Sequence, residues 1–250
     1  MTLAIDVGNT HIVIGLMKGL DVQQSWRIAT DLNKTADEYF AVLQGLLATA
    51  GTHLNGVSRI VGASVVPPLE SIFEELAEKH LKLPIQMVNY KTIPITVKIS
   101  NPQEVGADRL VDAYAARELF GKPAIVIDFG TATTFDAISE KGEYLGGAIA
   151  PGLGIGRDAL YEKTAKLPKV DLHPPQNVIG NGTDEAIRSG LLVGYAGLVE
   201  KLVAEFQREL GSPCKIVGTG GFVNLMAEQT NVIQIKDPDL TLKGLALLAA

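Results

Sequence analysis

Two stretches of this 250-residue chain end an apolar run on an aspartate and follow it closely with glycine. The first is Asp6-Val7-Gly8-Asn9-Thr10 and the second is Asp128-Phe129-Gly130-Thr131. An aspartate in that position stands at the mouth of a sheet. Glycine lets the backbone turn tightly, so the amides of Gly8, Asn9 and Thr10 can point at a phosphate, with the Thr10 hydroxyl as a further donor. Gly-Asn-Thr equally suits a plain hairpin turn; the second Asp-x-Gly favours the chemical reading. Two such carboxylates facing one cleft would repel each other unless a cation lay near them, and phosphoryl transfer brings such cations.

A third constellation, Val105-Gly106-Ala107-Asp108-Arg109, runs directly into a helical pattern. One reading is helix capping, with Asp108 at the N-cap and Arg109 solvated. The other is chemical. A carboxylate beside a helix N-terminus has a low pKa and is a weak base. A weak base still suffices for phosphoryl transfer, whose loose transition state needs mainly positioning and charge neutralisation. Arg109 can grip a carboxylate or phosphate through two hydrogen bonds.

Other chemistries lack their residues. No Gly-x-x-x-x-Gly-Lys-Ser/Thr occurs, which excludes a P-loop. Gly152-Leu153-Gly154-Ile155-Gly156 follows Pro151 and is not expected at a strand-to-helix junction, which argues against a dinucleotide fold. His11, His53, His80 and His173 are scattered without ligand spacing, and no Ser-His-Asp or Cys-His arrangement is suggested. Cys214 is the single cysteine, so it has no disulfide partner within the chain. Lys+Arg 22 against Asp+Glu 28 gives a net charge of −6, and no run of five basic residues occurs, which argues against a general nucleic-acid binder. No apolar run is long enough to span a bilayer. With Asp6 in the first apolar stretch and no basic leader, the N-terminus does not read as a signal peptide. A cytoplasmic location is expected.

The elements that position these residues follow from the hydrophobic pattern. Thr2–Val7, His11–Met17 and Val22–Ile28 read as an antiparallel hairpin series. Thr35-Ala36-Asp37-Glu38 fits a capping box, and Tyr39, Val42, Leu43, Leu46 and Leu47 keep helical spacing up to Gly51. Ile60–Val66 is a strand closed by Pro67-Pro68; Leu69–Leu81 is helical; Leu83–Val88 is a strand; Arg109–Phe120 is a helix. Strands then recur at Ala124–Asp128, Thr133–Ile138 and Tyr144–Ile149. Thr183 opens a long helix with Ile187, Leu191, Tyr195, Leu198, Leu202 and Phe206 on one face. Leu192, Val193, Val199 and Val203 give it a second apolar face, as a homodimer contact would require. Cys214–Gly218 is a buried strand, and a short apolar helix ends the chain.

The pattern repeats. Ala4-Ile5-Asp6-Val7-Gly8 resembles Val126-Ile127-Asp128-Phe129-Gly130, and Arg59-Ile60-Val61-Gly62-Ala63-Ser64 resembles Lys215-Ile216-Val217-Gly218-Thr219-Gly220. Two related α/β halves are expected, residues 1–117 and 118–250, with the last helix free to pack back on the first half.

Taken together, five pieces in order resemble the type III pantothenate kinase family: Asp6-x-Gly-Asn-Thr10, Asn101-Pro-x-x-Val-Gly-Ala-Asp-Arg109, Asp128-Phe-Gly-Thr-Ala-Thr-Thr134, Gly146-Gly-x-Ile-x-Pro-Gly152 and Thr219-Gly-Gly221. The resemblance implies an α/β fold of the actin, Hsp70 and hexokinase superfamily, two ribonuclease-H-like halves with mixed sheets flanked by helices and an active-site cleft between them. It implies ATP-dependent phosphorylation of pantothenate, the first step towards coenzyme A. By the same resemblance, Asp6, Val7, Gly8, Asn9, Thr10, His11, Ile12 and Val13 look like the ATP phosphate hairpin, with Thr131 a second nucleotide contact. Gly106, Ala107, Asp108 and Arg109 look like the pantothenate turn, with Asp108 the base. Asp128 matches a monovalent-cation ligand, for potassium or ammonium, and Thr183 a further substrate contact. Magnesium would accompany the nucleotide, and the family acts as a homodimer. One position departs from the pattern: Ile99 stands where an aromatic residue, commonly Tyr, precedes the Asn-Pro pair, which bears on pantothenate affinity and not on the reaction class. Two alternatives stay open, another phosphotransferase of the superfamily and a non-catalytic regulator like the Bvg accessory factor. The presence of Asp108 and the charge of −6 disfavour the regulator.

Overall fold

The computed structural model describes residues 1–52 and 56–249, so His53 lies outside the described residues. The chain divides into two compact units. One comprises Met1–Ile95, Ser100–Ala115 and the chain from Asp239; the other comprises Thr96–Ile99 and Ala116–Pro238.

In the first unit, β1 (Thr2–Val7), β2 (His11–Lys18) and β3 (Asp21–Ala29) form an antiparallel meander. β4 (Arg59–Ser64) then pairs parallel to β1, and β5 (Ile85–Met87) pairs parallel to β4. The strand order is β3-β2-β1-β4-β5. Alternation decides which side chains face which layer. Leu3, Ile5, Val7, Ile12, Ile14 and Leu16 point into one core, shared with α1 (Ala36–Thr49) and α2 (Pro67–Leu76). The expected capping box of α1 is present: Glu38 N–H donates to Thr35 Oγ1 at 3.3 Å, and Thr35 N–H donates to Glu38 Oε2 at 2.8 Å. Behind it Tyr39, Leu43 and Leu47 are buried, each burial worth about 1.5–3 kcal/mol. Pro67 and Pro68 open α2 rather than precede it, since the first helical positions need no N–H. Residues 77–81 prolong it as a π-turn.

The opposite face of this sheet carries α7 (Leu240–Leu248), which packs on β1, β2 and β4, Leu242 lying against Gly15. α3 (Ala107–Phe120) meets α7 where Gly244 lies on Val111 and Ala115; a Cβ at Gly244 would come within 2.6 Å of Val111 Cγ1. Thr241 Oγ1 donates to the buried Asp112 carboxylate there at 2.7 Å.

The second unit repeats the topology. β6 (Ala124–Phe129), β7 (Ala132–Ile138) and β8 (Tyr144–Pro151) form the meander, β9 (Lys215–Thr219) pairs parallel to β6, and β10 (Ile235–Lys236) pairs parallel to β9. The order β10-β9-β6-β7-β8 is that of the first sheet. Register agrees as well: Thr2 pairs with Arg59, and Ala124 pairs with Lys215. These are the residues that the two sequence repeats bring into correspondence, so the repeat is structural. Ile125, Ile127, Phe129, Phe135 and Ile216 point to a core covered by α5 (Thr183–Leu210), with α6 (Val223–Ala227) against it. Between β8 and α5 lies α4 (Leu153–Lys163).

Two expectations are corrected here. Gly152 sits between β8 and α4, so the glycine-rich segment does occupy a strand-to-helix junction. On α5, Leu192, Val199 and Val203 are buried in the unit's own core with Ile187 and Ala196, and only Val193 of the supposed second face is exposed. The face that the sequence assigned to a partner is the one that holds the helix to its sheet.

Candidate active site

Asp6 is the penultimate residue of β1, paired with Val13 on β2 and Ala63 on β4. Its neighbours Ile5 and Val7 point into the α1–α2 core, so Asp6 faces the α7 side and is half-buried at the sheet end. The turn after it is closed by Gly8 N–H donating to His11 O at 3.0 Å. A Cβ at Gly8 would stand 2.9 Å from that same carbonyl, which explains the glycine. The end of β3 braces the turn: Thr30 Oγ1 donates to Gly8 O at 2.6 Å, and Thr30 N–H donates to Thr10 O at 3.0 Å. Asn9, Thr10 and His11 are left exposed, whereas the side chains of Val7 and Ile12 are buried in the core. Those two can offer a ligand only backbone groups.

The Gly106–Arg109 turn is joined to this strand end. Val65 N–H donates to Val7 O at 3.0 Å, and a Cβ at Gly106 would lie 3.1 Å from Val65 Cγ1 and against Asp108 Oδ1. The first unit therefore brings the Asp6 turn and Asp108 together through Val7, Val65 and Gly106. A short 3₁₀ turn, Pro102–Glu104, leads in, with Asn101 Nδ2 donating to Glu104 Oε1 at 3.0 Å.

Asp108 is not the N-cap. α3 begins at Ala107, and Leu110 N–H donates to Gly106 O at 3.3 Å, so Asp108 lies inside the first turn, where its carboxylate accepts from Arg109 N–H at 2.8 Å. The expected low pKa is also corrected. Burial pushes the Asp108 carboxyl above the ordinary carboxylate range, while the Arg109 amide and guanidinium act the other way. Desolvation wins because the charged form loses more water than one amide and one partly buried cation replace. A carboxylate raised in this way is a better base than a surface one.

In the second unit, Asp128 occupies the equivalent place near the end of β6, across from Thr134 on β7 and Thr219 on β9. Two glycines flank its carboxylate. A Cβ at Gly130 would be 3.2 Å from Asp128 Oδ2, and one at Gly220, whose φ is +89°, would fall on Asp128 Oδ1. Both glycines let the backbone pack closely against this carboxylate. Among the described residues no group of three His, Cys, Asp or Glu side chains gathers, so a metal bound by such a cluster finds no site there. Thr131 is exposed, and the carbonyls of Gly130 and Thr131 lie directly on Gly152.

On the same sheet face as Asp128, the buried Asp136 accepts from Tyr144 Oη at 2.7 Å and from Thr134 Oγ1 at 3.1 Å. Nothing in the spacing of Asp136 or Tyr144 marked them beforehand; the one signal was a charged residue at an inward position of an apolar strand.

Thr183 is the first residue of α5, after Gly182. It lies on an open cavity of about 600 Å³, lined also by Gly156 and Leu160 of α4, Leu167, and Ile187 and Leu191 of α5. Asp128, Gly130 and Thr131 do not line it. The remaining histidines have ordinary places. His80 stacks on Phe40 and contacts Asp37 at 2.6 Å, and His173 lies in the loop before α5. Among the described residues no helix is long and apolar enough to cross a membrane.

Three comparisons bear on this arrangement. A protein from Moorella thermoacetica named type III pantothenate kinase is 47% identical over 249 residues, covering 99% of this chain and 98% of its own. A solved structure from Campylobacter jejuni, described as a conserved putative Baf family transcriptional activator, superposes with a TM-score of 0.63 at 18% identity over 98% of this chain and 96% of that one. The activator of 2-hydroxyisocaproyl-CoA dehydratase from Clostridium difficile, with bound ADPNP, superposes with a TM-score of 0.56 at 14% identity over 99% and 92%. At those identities the two structures speak for the fold, that of the actin-like ATPases with their paired ribonuclease-H-like sheets. The family model described as type III pantothenate kinase matches residues 2–205. With the Asp6 turn, the Asp108 turn and Asp128 all inside that span, the chain belongs to the type III pantothenate kinase family.

Proposed function

We infer that this chain transfers the γ-phosphoryl group of ATP to the primary hydroxyl of pantothenate. The observation that carries this reading is Asp108: a carboxylate with its pKa raised by burial, tied through Gly106 and Val65 to the end of β1. Full-length identity of 47% to a type III pantothenate kinase supports the substrate.

The residues divide the work as follows. The Gly8–Thr10 turn, braced by Thr30, and the Thr131 turn offer amides and hydroxyls to the phosphates of ATP. Arg109 and the amides at the start of α3 orient pantothenate, with Thr183 a further contact. Asp108 accepts the proton as the hydroxyl oxygen bonds to the γ-phosphorus and the bond to the ADP oxygen breaks. A potassium or ammonium ion held by Asp128, with magnesium on the nucleotide, supplies positive charge beside the phosphates. By the family resemblance, the site operates in a homodimer. A cytoplasmic setting, with no role for nucleic acid or membrane, completes the reading.

A coupled assay of ATP turnover with pantothenate, in potassium and in sodium, tests it, with mass detection of 4′-phosphopantothenate. ATP hydrolysis that does not depend on pantothenate would refute the assignment.

A further inference from the structure

We propose that Tyr195 is a positioning residue for the Gly130–Thr131 turn: the Tyr195–Pro151 hydrogen bond seats Gly152 under that turn and so fixes the nucleotide contact. The inference rests on the reading of Thr131 as a nucleotide contact.

The chain of contacts lies wholly within the second unit. Tyr195 sits on α5, between Leu192, Ala196 and Val199, which are buried in the core against the sheet. The helix is thus a rigid mount, and Tyr195 stands about 18 Å along it from Thr183. Its phenol donates a hydrogen bond to Pro151 O and lies beside the Thr133 hydroxyl. Pro151 ends β8, an outermost strand of its sheet, opposite Ala132. Proline has no N–H, so the carbonyl is the one hydrogen-bonding group its backbone possesses. Tyr195 takes that group.

The next residue is Gly152. A Cβ there would overlap Thr131 O and come within 2.8 Å of Gly130 O, so the glycine lies flush beneath the turn. Its own carbonyl starts α4, accepting from Gly156 N–H at 2.9 Å. The last residue of an edge strand frays unless something holds it. Here the phenol holds Pro151, Pro151 holds Gly152, and Gly152 supports the carbonyls of the exposed Gly130–Thr131 turn. A loop displaced by a fraction of an ångström loses alignment with its ligand even though the fold is unchanged.

Tyr195→Phe removes the hydroxyl and keeps the ring, so the core contact survives. The test is calorimetric titration of the purified full chain with AMP-PNP and, separately, with pantothenate. Loss of one hydrogen bond predicts AMP-PNP affinity about 3- to 10-fold weaker, with pantothenate affinity unchanged and the melting temperature within about 4 °C of wild type. Thr131→Val is run beside it. If Thr131→Val weakens AMP-PNP and Tyr195→Phe does not, the positioning role is overturned while the nucleotide assignment stands. If Thr131→Val leaves AMP-PNP affinity unchanged, the nucleotide assignment falls and the inference with it. Equal weakening of both ligands by Tyr195→Phe makes the hydroxyl merely structural and also overturns the proposal.

Discussion

Gly220 lies on the Asp128 carboxylate so closely that any side chain would displace it. The glycine has φ +89° and its missing Cβ would meet both Asp128 Oδ1 and the backbone of Phe129. Two independent constraints therefore demand glycine, a left-handed backbone and a carboxylate against it. Gly220→Ala should lose at least about 2 kcal/mol, since the backbone conformation alone costs about 1–2 kcal/mol, which lowers the melting temperature by roughly 4–8 °C. Calorimetry on the variant checks this. A melting temperature equal to wild type would mean that this contact is loose.

The charge of Asp128 can be separated from its shape. Asp128→Asn keeps an oxygen between Gly130 and Gly220 but gives up the negative charge. If that charge holds a monovalent cation, the variant needs far more potassium for half-maximal rate, and the wild type works better in potassium than in sodium. Potassium chloride is titrated at constant ionic strength with tetramethylammonium chloride as balance, which removes screening as a cause. Identical potassium requirements in the two proteins would dismiss Asp128 as a ligand.

Asp108 should trade stability for chemistry. Its folded pKa is raised above 3.8 by burial, so between the unfolded and folded values the native state binds more protons than the unfolded chain. Wild-type stability then falls as pH rises through that window, and above it the buried charge remains a burden. Asp108→Asn has no charge to bury and should melt higher than wild type at pH 7, with the difference vanishing below about pH 3.8. Turnover in the same variant should drop by roughly 100-fold or more from loss of the base. A variant that melts lower at pH 7 and turns over normally would make Asp108 a structural residue of α3.

Much of this was legible in the residues. The two Asp-x-Gly stretches and the two Val-Gly strand ends announced a duplicated sheet, because buried parallel strands need apolar runs and their ends need small residues. The capping box at Thr35 and Glu38 has its partners within three residues, so local sequence decides it. What failed was long-range. Whether Leu192 and Val203 face a sheet or a partner depends on where α5 docks, and periodicity does not carry that. Asp108 looked like a low-pKa cap because helix position is local, whereas its desolvation comes from the packing of distant parts of the chain. The close approach of Gly152 was hidden too, since the carbonyls it lies against belong to Gly130 and Thr131, 22 and 21 residues earlier, across the β7–β8 ladder.

The same logic gives a prediction for Asp136, a carboxylate only 1% exposed inside the second sheet. Tyr144 Oη donates to one of its oxygens at 2.7 Å and Thr134 Oγ1 to the other at 3.1 Å. Tyr144 is doubly engaged: its backbone also accepts from Lys98 N–H at 2.8 Å and donates to Thr96 O at 2.9 Å, tying residues 96–99 to the start of β8. Tyr144→Phe leaves that backbone pairing and the ring in place and removes one donor from a buried carboxyl group. A buried acceptor left without its donor costs about 1–3 kcal/mol, so the melting temperature should fall by roughly 2–12 °C. Asp136→Asn changes the acceptor on the other side of the same bond. If the bond is the common cause, the double variant loses less than the two single losses added together, with a coupling of about 1 kcal/mol or more. Denaturant unfolding of the four proteins measures that coupling directly, and strictly additive losses would show that Tyr144 and Asp136 stabilise the sheet independently of each other.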